Sequence, residues 1–411
     1  ICSAYVHKLT VTLFDIISVE QNYETALHLY RKSAAQDFPY ASYELAKMYR
    51  DGIGTVKNES EAGEHFKKAF TGFVALEKQS HDDKLQYRIG QMLLTGIGTE
   101  KDLDKATEYF EKSARLGNTY AQYQLAKIYL ADEDASAEKI QIAIDWLTKS
   151  AEGENQFAQY ALAKLYRDGT HVEKNEIEAL RLFMLSAEQD NEFAQYALGK
   201  LYLHSDVIAK DATAAVKWLS KSSDLGNQFA QYALGKLYLL GEDVQKDIAK
   251  AIVFLGKSAV QKNQFAQYQL GKIYLSGEDV PQDVETALRW LGESAAQGNQ
   301  YAQYALGKLY IMGKDVPRDR EKALEYFTLA AEQGNEYAQF FIDHMGSFRD
   351  PSIALAATNL LRHLSRIFED KAIPDLNRKA MQIDRKRRQK LAEKKQAQGH
   401  ARNDYAQEFI M

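Results

Sequence analysis

The chain has 411 residues, of which 45% are hydrophobic and 27% charged, with a net charge of −5. That balance excludes a fibrous or wholly disordered polypeptide, and no run of about 18 apolar residues is present to span a membrane as a helix. The single cysteine, Cys2, excludes an internal disulfide and fits a reducing, cytoplasmic setting.

The N-terminal stretch "ICSAYVHKLTVTLF" starts at Ile1 rather than Met and has neither a basic start nor a small-residue cleavage site. It reads as part of a longer polypeptide, not as a signal peptide. Beyond it one phrase recurs: "NQFAQYALAKLYR" at 155–167, "NEFAQYALGKLYL" at 191–203, "NQFAQYALGKLYL" at 227–239, "NQFAQYQLGKIYL" at 263–275 and "NQYAQYALGKLYI" at 299–311. Its second aromatic falls at Tyr43, Tyr87, Tyr123, Tyr160, Tyr196, Tyr232, Tyr268, Tyr304 and Phe340. An independent alanine column keeps the same register at Ala26, Ala62, Ala106, Ala143, Ala179, Ala215, Ala251, Ala287 and Ala323. Most intervals are 36 residues, so nine copies are in register across residues 1–347, the first of them partial or irregular.

The early copies carry the irregularities. The turns "GIGTV" and "GIGTE" resemble phosphate loops, but they recur as inter-helix turns and lack the following Lys-Ser/Thr of a P-loop. Eight extra residues around "FTGFVALEKQSHDD" predict that the second helix of that copy is longer by about two turns. One extra residue lies in "ADEDASAEKI".

The later copies read as two helices each. Asn227 is a natural N-cap, and Ala230, Leu234, Leu237 and Tyr238 follow at helical spacing as an apolar stripe. Gly235 sits inside that stripe, where glycine costs about 1 kcal/mol, so a close approach of a neighbouring helix is expected there. Gly241 suits a left-handed cap. Asp283 caps the second helix, whose Ala287, Trp290, Leu291 and Ser294 share a face, and Gly298 closes it. The expected fold is all-α, a right-handed α-solenoid superhelix of stacked helix-turn-helix repeats, because no pair buries its stripe alone.

Residues 348–370 form an amphipathic segment, with Ile353, Leu355, Leu360, Leu361, Leu364 and Phe368, suited to cap the last repeat. Residues 371–411 are a basic tail, partly helical or disordered; 371–402 hold 11 Lys or Arg against 3 Asp or Glu, leaving an acidic body. Arg385, Lys386, Arg387, Arg388 and Lys390 are its candidate contacts to DNA phosphates, against the plainer reading of a soluble terminus.

The units resemble Sel1-like repeats, relatives of tetratricopeptide repeats. The residues that carry the resemblance are Ala230, Tyr232, Leu234, Gly235, Tyr238 and Gly241, the linkers Gly277–Asp283 and Gly313–Asp319, and "KALEYFTLAAEQGN" at 322–335. The segments 348–370 and 383–404 are similar to the C-terminus of repeat-bearing relaxases, the mobilisation proteins of Gram-positive conjugative elements. That resemblance implies an upstream nickase domain, none of whose functional residues has a counterpart here.

The nine histidines show no metal-ligand spacing, and no nucleophile–base constellation is present, so no metal, cofactor or catalysis is expected. The best candidate site is a ladder on the first helices. Tyr160/Lys164, Tyr196/Lys200, Tyr232/Lys236, Tyr268/Lys272 and Tyr304/Lys308 recur four residues apart, off the packing stripe. The tetratricopeptide resemblance implies that these positions, with Phe229, face a concave groove. Two readings stand. In one, the row of cations and phenols binds an extended acidic peptide, or phosphates with aromatics interleaved. In the other, each Lys pairs with a carboxylate of a neighbouring helix, each Tyr packs between repeats, and duplication copied both. Gln231 and its equivalents are expected to make inter-repeat hydrogen bonds. The sequence therefore points to a non-enzymatic scaffold whose partner is a protein or extended peptide, as a monomeric solenoid or a domain of a larger chain, with no membrane contact. Nucleic acid held by tail and ladder is the alternative.

Overall fold

The computed structural model describes residues 22–346. Among these residues there are eighteen helices and no strand. A leading second helix, α1 (Tyr23–Ala34), is followed by helical hairpins: α2 (Pro39–Asp51) with α3 (Glu59–Ser80), α4 (Asp83–Thr95) with α5 (Leu103–Arg115), α6 (Thr119–Leu130) with α7 (Ala137–Glu152), and α8 (Gln156–Asp168) with α9 (Glu176–Glu188). They continue as α10 (Glu192–His204) with α11 (Ala212–Asp224), α12 (Gln228–Leu240) with α13 (Ile248–Val260), α14 (Gln264–Ser276) with α15 (Val284–Ala296), α16 (Gln300–Met312) with α17 (Arg320–Glu332), and a last α18 (Glu336–Asp343). The architecture is the all-α repeat solenoid that the periodicity predicts. The chain divides into two compact units, Ile1–Leu234 and Gly235–Met411, and each is described by itself. The capping segment 348–370 and the tail with Arg385, Lys386, Arg387, Arg388 and Lys390 lie outside the described residues.

From α6 onward each first helix starts at an asparagine whose side chain replaces the missing helical acceptor, whereas Asp82 caps α4 and α2 follows Phe38 without a side-chain cap. Asn191 Oδ1 accepts from the amides of Phe193 and Ala194 at 3.1 and 3.0 Å, and Asn299 does the same for Tyr301 and Ala302 at 3.0 Å each. Asn227 caps α12 as expected, at 2.9 and 3.0 Å. The second helices begin at Asp or Asn, except α7, which Ser136 caps; Asp283 Oδ1 takes the Thr286 amide at 3.0 Å. Gly241 ends α12 with φ +70°, a conformation in which a Cβ is strained.

The two helices of a hairpin meet where the sequence put glycine. A Cβ on Gly199 would lie 2.5 Å from Leu219 Cγ; the figures for Gly271 against Leu291 and Gly307 against Phe327 are 2.6 and 2.7 Å. Ala46, Ala126 and Ala163 stand at the same place in other copies and are fully buried. Helix α3 carries the eight-residue insertion as 22 residues, against 13 in most of the second helices. Its extra turns bring Phe73 into the core against Tyr40, and Glu77 is buried and accepts from Gln86 Nε2 at 2.9 Å.

Two polar columns wire the repeats, one within each hairpin and one between successive hairpins. Ser186 Oγ donates to Gln156 O and Ser222 Oγ to Glu192 O, both at 2.7 Å, fixing the start of one first helix to its own second helix. In most copies the glutamine one residue before the column tyrosine reaches back to the preceding hairpin: Gln159 Nε2 donates to Ala151 O, Gln195 to Ala187 O and Gln303 to Ala295 O, at 3.1, 3.1 and 3.2 Å. The inter-repeat role expected for Gln231 holds, with Ser223 O at 3.2 Å. The other end of this amide is served unevenly. Gln189, Gln297 and Gln333 donate to the Oε1 of Gln159, Gln267 and Gln303 at 2.9, 2.6 and 2.7 Å. Where the donor position holds Leu116, Gly153 or Leu225 instead, Gln86, Gln122 and Gln195 leave a buried Oε1 with no protein partner.

That correlation gives a stability prediction. Leu225 is half exposed, so replacing it forfeits little burial. Leu225→Gln supplies the donor that Gln195 lacks and should stabilise the fold by about 1 kcal/mol in urea unfolding, whereas Gln189→Leu should destabilise it by a similar amount. An unchanged midpoint in both variants would refute the role assigned to this amide column.

Candidate functional site

The ladder is built on the face of the first helices left over once the glycine and alanine contacts are made. In the first unit, Lys164 Nζ lies 5.7 Å from the centroid of its own Tyr160 ring, Lys200 lies 5.9 Å from Tyr196, and Lys127 lies 5.5 Å from Tyr123. In the second unit, Lys272 lies 5.6 Å from Tyr268 and Lys308 5.3 Å from Tyr304. An ammonium within about 6 Å of an aromatic centroid is attracted by the ring face. Tyr232 and Lys236 share α12 but fall on opposite sides of the division between the units.

Each tyrosine also meets the aromatic three residues before the next tyrosine. The pairs are Tyr123–Phe157, Tyr160–Phe193 and Tyr196–Phe229 in the first unit, at 6.1, 6.1 and 6.2 Å between centroids. Tyr268–Tyr301 and Tyr304–Tyr337 repeat the contact in the second, at 6.0 and 6.1 Å. The tyrosines therefore pack between repeats. Their partners keep a large open surface: Phe157 is 44% exposed, Phe229 45% and Tyr301 50%. An aromatic strip thus runs along the ladder, and the side chains that complete it are both structural and accessible.

Lys47 pairs with Glu44 of its own helix at 2.9 Å, rather than with a carboxylate of a neighbouring helix. Burial pushes the Lys127 amine below its ordinary value. Arg167, four residues from neither Tyr nor Lys by the ladder rule but one turn beyond Lys164, is a cation that the sequence reading missed. Burial opposes its charge, yet two hydrogen bonds to Asp168, at 2.8 and 2.9 Å, hold the guanidinium above its ordinary value. It interacts electrostatically with the Tyr160 and Tyr196 phenols. Its signal was the Arg at 167 where later copies have Leu203, Leu275 and Ile311.

His65 reads as a structural side chain: it stacks on Tyr49 at 5.8 Å, and burial pushes it below its ordinary value. The "GIGTV" and "GIGTE" segments are the turns between α2 and α3 and between α4 and α5. Among the described residues no cluster of three or more His, Cys, Asp or Glu is placed to hold a metal ion, and no helix is long and apolar enough to cross a membrane.

Burial also raises the phenols of Tyr123, Tyr160, Tyr196 and Tyr304. Tyr123 is pushed up to about 12 by burial and then by the neighbouring Tyr160 and Tyr87; Tyr196 is pushed up to about 12 by burial and then by Tyr160. A raised folded-state value favours the neutral phenol. Its contribution to stability is complete below pH 10 and is lost as pH rises through about 12. An absorbance titration should show a late-ionising class of tyrosines, with unfolding free energy level to about pH 10 and falling above it. Tyr196→Phe should shrink that class; a single tyrosine class near the ordinary value would contradict the packing.

Comparison with known proteins places this arrangement. The model of the Sel1 repeat matches residues 15–38, 39–71, 84–118, 119–155, 156–191, 193–227, 228–262, 264–299 and 300–335. No curated protein matches the sequence significantly. Among solved structures, the protective antigen of uropathogenic Escherichia coli strains displaying an SLR fold is 31% identical over 86% of this chain and 75% of its own, with a TM-score of 0.60. A Sel1 repeat protein from Oxalobacter formigenes has the same fold at 24% identity, covering 82% of this chain and 99% of its own, with a TM-score of 0.55. The resemblance of segments 348–370 and 383–404 to mobilisation proteins lies outside both the repeat match and the described residues. Nine matched units, in the register of the tyrosine and alanine columns, show that the chain belongs to the Sel1 repeat family.

Proposed function

We propose that this chain is a non-enzymatic scaffold whose Tyr–Lys face binds an extended acidic segment of a protein partner. Sel1 repeat proteins typically mediate protein–protein interaction. The observation that carries the reading is the recurrence, within each unit, of a half-exposed aromatic, a tyrosine packed on it and an ammonium over that tyrosine. Successive rungs offer apolar contact and positive charge at each step, the chemistry that suits an extended chain with alternating apolar and acidic side chains. Tyr160, Lys164, Tyr196 and Lys200 act together in the first unit; Tyr268, Lys272, Tyr304 and Lys308 do so in the second. Tyr232 and Lys236 extend the same columns. A rim charge contributes about 0.2–1 kcal/mol, so affinity comes from the number of rungs engaged.

The mobilisation setting and a nucleic-acid contact belong to this proposal only through the sequence, by the resemblance of residues 348–404 and the basic Arg385, Lys386, Arg387, Arg388 and Lys390. They call on the tail, whereas the peptide reading calls on the ladder. A fluorescent peptide alternating Glu with Phe or Leu should bind the intact chain, more weakly as salt rises. Lys164→Glu with Lys200→Glu should weaken it about tenfold, the effect of two lost rim charges. A duplex DNA probe should separate the alternatives, since its retention would depend on residues 371–411 rather than on these lysines. Equal peptide affinity for the intact and charge-reversed chains would overturn the ladder reading.

A further inference from the structure

The single extra residue in "ADEDASAEKI" changes the fold at one place. In the other complete hairpins the N-cap amide of the second helix closes on a carbonyl near the end of the first: Asn175 N on Tyr166 O at 2.8 Å, Asp211 N on Tyr202 O at 3.0 Å, and Asp283 N on Tyr274 O at 2.9 Å. Helix α7 begins one turn earlier, at the Ser136 cap, and Lys139 stands where the other copies have their Asn or Asp cap. Among the described residues no cap amide closes on the Tyr129 carbonyl.

The rings nearby are also parted. Tyr49 stacks on His65, Tyr238 on Phe254 and Tyr310 on Tyr326, at 5.8, 6.0 and 6.0 Å and within 9° of parallel. Tyr129 and Trp146 hold the corresponding positions but do not stack, and the other Tyr/Trp copies, Tyr202 with Trp218 and Tyr274 with Trp290, do not stack either. Together with Glu111, Arg115, Lys139 and Ile142, Tyr129 and Trp146 line an open cleft of about 420 Å³, between the second helices α5 and α7 and away from the ladder. Its walls are the two rings and Ile142, which is 41% exposed.

The polar groups at the rim set the charge. Tyr129 Oη donates to Glu111 Oε1 at 2.7 Å, and Arg115 Nη2 donates to Glu111 Oε2 at 3.2 Å. Lys139 Nζ pairs with Asp132 at 2.6 Å and lies 5.2 Å from the Tyr129 centroid; Lys149 lies 4.6 Å from Trp146. Glu111 is thus engaged from two sides. Arg115, 71% exposed, commits one of its five N–H donors to a carboxylate and keeps donors for another.

We propose that this cleft is a second binding site, which takes an aromatic side chain flanked by a carboxylate in a partner polypeptide. The guest ring lies against Tyr129, Trp146 and Ile142, giving Tyr129 the ring contact that Tyr49, Tyr238 and Tyr310 obtain internally. The guest carboxylate meets Arg115 and Lys139. The site is independent of the ladder, so a protein bound there leaves the cleft free.

The test uses the full chain labelled with 5-fluorotryptophan, whose three tryptophans give three resonances. An acetylated Gly-Phe-Glu-Gly amide should shift the Trp146 resonance saturably and leave those of Trp218 and Trp290 in place. The matching peptides with Leu for Phe, or Gln for Glu, should bind about tenfold more weakly. Ile142→Glu should abolish the shift while the other two resonances report an intact fold, and Lys164→Glu with Lys200→Glu should leave it unchanged. No Trp146 shift at millimolar peptide, a shift that survives Ile142→Glu, or one lost with the ladder lysines would overturn the proposal.

Discussion

One contact organises the molecule: the second helix of each hairpin lays a Leu or Phe directly on a glycine or alanine of the first. Leu219 on Gly199, Leu291 on Gly271 and Phe327 on Gly307 leave no room for a Cβ, and Ala46, Ala126 and Ala163 are the largest residues found at that place. The residue tolerated there fixes the distance between the helices. That distance in turn brings the Ser column within 2.7 Å of the first helix's opening carbonyl. The same closeness forces longer side chains of the first helix to the flanks. Tyrosine and lysine of the ladder are on a flank for that reason, before any question of binding arises.

The fold was legible because its dominant forces repeat. Asn caps, helical spacing of Ala and Leu, and glycine in the stripe each recur about every 36 residues, and each recurrence constrains the same hairpin. Even the insertion was readable: eight added residues in register with neither column leave lengthening of α3 as the simple solution, and the helix runs on for those turns. The polar wiring was less legible. Gln195 and Gln159 look alike in sequence, and what separates them is the residue thirty positions on, Leu225 or Gln189. Such a pairing joins two helices whose registry is known only once the helices are packed.

The ladder was visible as a pattern, but its meaning was not. Sequence spacing gave Tyr and Lys a common face and left open whether Lys paired with a carboxylate of a neighbouring helix or met a ligand. The geometry puts Lys164, Lys200, Lys272 and Lys308 over their own tyrosines, and the tyrosines onto the aromatic of the next rung. Packing and recognition are therefore not rival accounts of this column. Tyr196 stiffens the repeat, and by doing so it presents Phe229 and Lys200 in fixed positions, which lowers the ordering cost of a partner that binds along the strip.

A repeat array has a particular difficulty as a recognition surface, since identical rungs cannot fix the register of what they hold. Departures from the consensus supply what the consensus lacks. Arg167 interrupts a column of Leu and Ile that otherwise only Arg50 of the first copy breaks, and it lies within reach of two ladder phenols, so the rungs on either side of it differ in charge from those of the second unit. The early start of α7 accompanies the cleft between α5 and α7 that Tyr129 and Trp146 line with Glu111, Arg115, Lys139 and Ile142. Both lie in the first unit, two and three hairpins after the lengthened α3 and within about one repeat of each other in sequence. A partner that must choose one position along the array finds its distinguishing contacts there, while the regular copies of the second unit offer Tyr268, Lys272, Tyr304 and Lys308 as repeated, interchangeable steps.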